Sequence, residues 1–116
     1  MNMEMIVSLF RLFSGEQDTD LHMSLLVTAV HEVTARLRTE ADASEARLCY
    51  LAAAVANLRY TQMYGARDRA LATYAGTIAR QSDASQQLDF AVRLVRSYYG
   101  LCSDLLRDDA FVFSGV

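Results

Sequence analysis

The side chains in this sequence best suited to nucleophilic or metal chemistry are two imidazoles, His22 and His31, and two thiols, Cys49 and Cys102. A metal held on one helix needs ligands three or four residues apart, so that they leave the same face. His22 and His31 are nine residues apart, and neither cysteine has a second cysteine or histidine at ligand spacing. No Glu-x-x-His pair marks a di-iron helical bundle. The expectation is therefore no metal and no cofactor, with both histidines structural. A thiol nucleophile with a histidine base stays open, because such partners meet in space and not in sequence. Against it, both cysteines fall among leucines and valines, where burial raises a thiol's pKa and hides it.

Phosphate and amine chemistry are also poorly supported. All eleven cations are arginine. A Walker-type phosphate lysine, a Schiff-base lysine and a Ser-x-x-Lys nucleophile are thereby excluded, since each needs a primary amine. The five glycines are scattered, whereas a phosphate loop needs several close together after a strand. A net charge of −3 provides no basic field for a nucleic acid backbone, and no sequence readout is expected. The stretches Arg36-Leu37-Arg38 and Arg67-Asp68-Arg69 read as solvated helix faces or as ion pairs between subunits. The six tyrosines are too many for a base-stacking site and suit interfaces and helix-packing rims. The chain reads as a non-enzyme.

The elements that must position these side chains are helices. One hundred and sixteen residues make one domain, 1–116, and 53% of them are hydrophobic, above the usual share. Proline is absent, so no helix is broken by a residue without an N–H. Residues 3–13 form a short apolar helix ended by Ser14-Gly15, with Ile6, Leu9, Phe10 and Phe13 at helical spacing. Asp18, Thr19 or Asp20 can cap a second helix over 20–40, striped by Leu21, Leu25, Leu26, Ala29, Val30, Val33 and Leu37, with Glu32 and Arg36 as an i,i+4 pair. Asp42-Ala43-Ser44-Glu45 reads as a capping box opening a long helix over 43–80. Ala52, Ala53, Ala54 and Ala56 make that helix slender, Gly65 offers a break or kink, and an extended arm is an alternative near 73–77. Ser82 or Asp83, with Gln86, caps a last helix over 84–108, where Leu88, Ala91, Val92, Val95, Tyr98, Tyr99, Cys102, Leu105 and Leu106 form the stripe and Asp89 pairs with Arg93. The fold class is an all-α bundle of about four helices with an extended apolar tail over 110–116. The cysteines read as buried free thiols in a reducing compartment; a disulfide between helices is the alternative. No secretory pattern or membrane-length apolar run is visible, so the expected location is cytoplasmic.

The apolar surplus, the alanine-rich helix and the apolar ends together point to assembly through protein–protein contacts. Ile6, Phe10 and Phe13 at the front, and Phe111, Val112 and Phe113 at the back, are the candidate contacts between subunits. Packing onto the chain's own core is the competing reading for the same residues.

Residues 20–78 contain LLVTAVHEVTARL, a short acidic turn, ARLCYLAAAVANLRY and ATYAGTI. This span resembles the small helical head–tail connector proteins of tailed phages and prophages. There a helix of the form LL-x-x-A-x-x-E-x-x-x-RL precedes an alanine-rich helix ending near Arg-Tyr. The resemblance implies a ring-forming subunit that contacts copies of itself and a portal or tail component, located in the virion, with no catalytic residues. The same stretch also resembles ZapA-type division proteins, in which an LAAL-like run, here Leu51-Ala52-Ala53-Ala54, starts the helix of an oligomer that crosslinks FtsZ filaments. The sequence departs from that second family in two places. A pair of N-terminal strands is expected where MEMIVSLFRLF reads as helix, and the long C-terminal coil is interrupted by the cap at 82–86.

Overall fold

The computed structural model describes residues 1–71 and 78–107, together with the side chains of 1–64 and 85–107. From the N-terminus these form α1 (Met3–Ser14), one turn of 3₁₀ helix (Asp20–His22), α2 (Met23–Thr34), α3 (Ala46–Leu71) and α4 (Ile78–Leu101). The protein is all-α, as expected. Among the described residues the one extended pairing is an isolated antiparallel bridge between Leu37 and Leu106.

The alanine run explains the arrangement. Every residue from 51 to 58 is buried, including Ala52, Ala53, Ala54 and Ala56, each fully enclosed. An amphipathic helix hides one stripe; a helix buried on every side needs neighbours on every side. α1, α2 and α4 all pack against α3, and methyl-sized side chains let their backbones come close. Leu48, Leu51, Val55 and Leu58 fill the wider gaps, meeting Ile6 and Phe10 of α1, Leu26, Ala29 and Val33 of α2, and Ala91 and Val95 of α4 in one core.

Local chemistry sets the ends of the helices. Asn2 caps α1 by accepting from the Met5 N–H at 3.2 Å. Gly15, at φ 75°, ends the helix in the left-handed conformation and donates its N–H to the Arg11 carbonyl at 2.9 Å. The second helix is shorter than the expected 20–40. It opens with the 3₁₀ turn, without a side-chain cap from Thr19, and α2 ends at Thr34. Beyond it the bonding tightens, with Arg36 N donating to Val33 O and Leu37 N to Thr34 O. Arg38 N then reaches the Leu105 carbonyl at 2.9 Å, and Arg107 N reaches the Arg36 carbonyl at 2.9 Å. Pairing with the far end of the chain thus replaces the last turns of the expected helix.

Three further expectations change. Asp42 does not form a capping box with Glu45. Its Oδ1 accepts from both the Ser44 N–H at 2.9 Å and the Ser44 hydroxyl at 2.6 Å, closing an Asx turn just before α3. Those two bonds hold the Asp42 carboxyl below its ordinary pKa. The helix passes Gly65 without a break and continues to Leu71, since a cost of about 1 kcal/mol for one glycine is small beside a long, packed helix. Finally, α4 starts at Ile78, so residues 82–86 lie inside it and not at its cap. It ends at Leu101, earlier than the expected 108. The expected arm near 73–77 and the apolar tail over 110–116 lie outside the described residues.

Candidate functional site

Of the residues expected at contacts between subunits, Ile6 and Phe10 are completely buried within the chain itself. They lie on the face of α1 that packs onto α3, so this face of the short front helix is covered by the chain's own fold and does not present these two side chains to a neighbour. Phe13, half-buried, stacks on Tyr98 of α4 with ring centroids 5.9 Å apart. Tyr98 in turn lies 5.5 Å from Tyr50 of α3. Phe111, Val112 and Phe113 lie outside the described residues.

The two histidines differ sharply. His31 is exposed on α2, whereas His22 is only 5% exposed. The 3₁₀ turn carries His22 against α3, where its ring meets Tyr60 at 5.1 Å and Tyr64 at 5.7 Å, both edge-on, and Phe10 at 6.1 Å. Its Nε2 is 3.7 Å from a Glu16 carboxylate oxygen. That same oxygen accepts the Tyr60 hydroxyl at 2.9 Å. Thr19, also buried, accepts from the Arg11 guanidinium at 3.5 Å. Edge-on aromatic contacts and a shared carboxylate are packing chemistry, and they fix the loop between α1 and α2 onto α3. No group of three or more histidine, cysteine or acidic side chains suited to a metal occurs among the described residues.

Both thiols are free and buried. Cys49 Sγ donates to the Asn2 carbonyl at 3.8 Å, and Cys102 Sγ to the Arg47 carbonyl at 3.4 Å. Each thiol therefore has a backbone acceptor, not an imidazole, as its hydrogen-bond partner. Burial pushes the Cys102 thiol up to about 11, against a smaller opposing pull from the Arg47 charge. A thiol held in that form is a poor nucleophile. Nearby, Arg47 joins the start of α3 to the end of α4. Its NH1 donates to the Leu101 carbonyl and to Asp104 Oδ1, each at 2.9 Å, and its NH2 to Asp104 Oδ2 at 3.2 Å. The guanidinium holds the Asp104 carboxyl below its ordinary pKa. This clamp supplies a partner for a carbonyl that the helix end leaves open.

What the sequence reading passed over is a second stripe on α4. Phe90, Leu94 and Leu101 are separated by four and seven residues, which places them within about 40° of one another around the helix. The core-facing positions Ala91, Val95 and Cys102 begin about 100° further round. Phe90 is 54% exposed and Leu101 57% exposed, with Leu94 half-buried between them. The spacing was present in the sequence; the stronger stripe through Leu88, Val92 and Val95 obscured it. Other large apolar side chains, Leu12, Leu21 and Met63, are also exposed, each on a different element.

No family model, curated protein or solved structure matches this chain.

Proposed function

We propose that this chain is a non-enzymatic assembly protein, acting through helix-mediated contacts with copies of itself and with a larger partner. A ring subunit of the head–tail connector type, beside a portal or tail component of a phage or prophage particle, is the particular reading. The observation that carries the assembly reading is the exposure of Phe90 and Leu101 on one side of α4, with Leu94 between them half-buried against the core. Large apolar side chains aligned along one side of a helix, outside its core-facing stripe, mark a surface suited to a partner. The arrangement of His22 and of the two cysteines supports the non-enzymatic part, since their contacts are those of packed groups.

The connector reading itself rests on the resemblance over residues 20–78. Under the division-protein alternative, the chain would be a cytoplasmic oligomer that crosslinks FtsZ filaments. One departure from that pattern disappears, because α4 is continuous through 82–86. The other stands, because residues 3–14 form a helix where a strand pair is expected. The connector reading therefore comes first.

Light scattering and negative-stain imaging of the purified protein test the proposal. The expected result is a species well above the 12.9 kDa monomer, ring-shaped in images. Phe90→Ser with Leu101→Ser should weaken this assembly at least tenfold and leave the circular dichroism spectrum unchanged. A monomer at every concentration, with no binding of apolar dye, sinks the assembly reading. A compact dimer or tetramer that bundles FtsZ transfers support to the alternative.

A further inference from the structure

We draw no further inference here: the strongest candidate, the apolar stripe of Phe90, Leu94 and Leu101 along the outer side of α4, belongs to the surface already proposed for assembly, and nothing in the structure shows what covers it.

Discussion

Tyr60 of α3 donates its hydroxyl to Glu16 at 2.9 Å, so a loop residue just past α1 is tied to the central helix 44 positions later. The same carboxylate faces His22, and the tyrosine ring forms part of the aromatic cage around that histidine. One side chain thus contributes a polar tie and an apolar wall to the same junction. The junction positions the 3₁₀ turn, and through it the start of α2.

Replacing Tyr60 with phenylalanine keeps the wall and removes the tie. The expected cost is about 1.5–3 kcal/mol, the range for a hydrogen bond to a charged group. Thermal unfolding measures the cost, and amide hydrogen exchange shows where it acts. Exchange over residues 16–22 should quicken while α4 is unaffected. Unchanged exchange in that loop would mean that packing alone holds it.

The enclosure of α3 predicts sensitivity to added volume. Ala53→Leu should destabilise by about 1–3 kcal/mol, because three neighbouring helices leave no direction in which a longer side chain can turn. For a chain of this size that lowers Tm by about 4–12 °C. Ala46→Leu, at an exposed position on the first turn of the same helix, serves as the control and should change Tm little. Equal effects at the two positions would contradict the packing described for α3.

Cys102 gives a chemical test of burial. With its pKa raised from 9.0 to about 11, the native thiolate fraction at pH 8 is roughly 100-fold below that of an ordinary thiol. Site-resolved mass spectrometry after brief iodoacetamide treatment should find Cys102 unmodified in the native protein and modified in urea. The same shift carries a pH signature. The folded pKa is raised, so its stabilising share is complete below about 9 and is lost as pH rises through about 11. Cys102→Ala should lack that part of the alkaline slope. Rapid native labelling would place the thiol at the surface.

Asp104 titrates in the opposite sense. Arg47 depresses its carboxyl, so the stabilisation is present above the ordinary value of 3.8 and is lost as pH falls through the depressed one. Asp104→Ala should therefore melt slightly below wild type at pH 6, and the gap should narrow as pH falls below the ordinary value of 3.8. Salt should shrink it as well, because the pair is solvent-facing. A gap that persists undiminished at pH 2 would assign the effect to something other than the ion pair.

Much of the fold was legible in the residues. α1 follows from its apolar spacing and from Gly15, and α3 from an alanine-rich run that follows the polar turn at Asp42 and Ser44. Asp89 and Arg93 pair as their i,i+4 spacing predicts, at 3.8 Å. Glu32 shows why local rules fail elsewhere. Its spacing pairs it with Arg36, yet its carboxylate takes the Arg59 guanidinium of α3 at 3.0 Å, and Arg36 instead donates to the Glu32 backbone carbonyl at 2.8 Å. A cross-helix partner brought by packing displaced the neighbour. The early end of α2 has the same origin, because the chain that competes for residues 36–38 arrives from residues 105–107. For the candidate site, the spacing of Ile6 and Phe10 revealed an apolar face, and only the packed helix pair reveals that the face is turned inward.

That late-arriving strand of contacts has a consequence for how the protein emerges during synthesis. α3 leaves the ribosome with two of its sides already matched by α1 and α2, and the side belonging to α4 is uncovered until some thirty further residues have followed. The Leu37–Leu106 bridge and the Arg47 clamp on Leu101 and Asp104 close only at the end of that interval. Until then the nascent chain displays Tyr50, which Tyr98 of α4 later meets at 5.5 Å, to whatever is near. Translation speed over residues 78–107 thereby sets how long the half-built core can be captured by a chaperone or by another nascent copy.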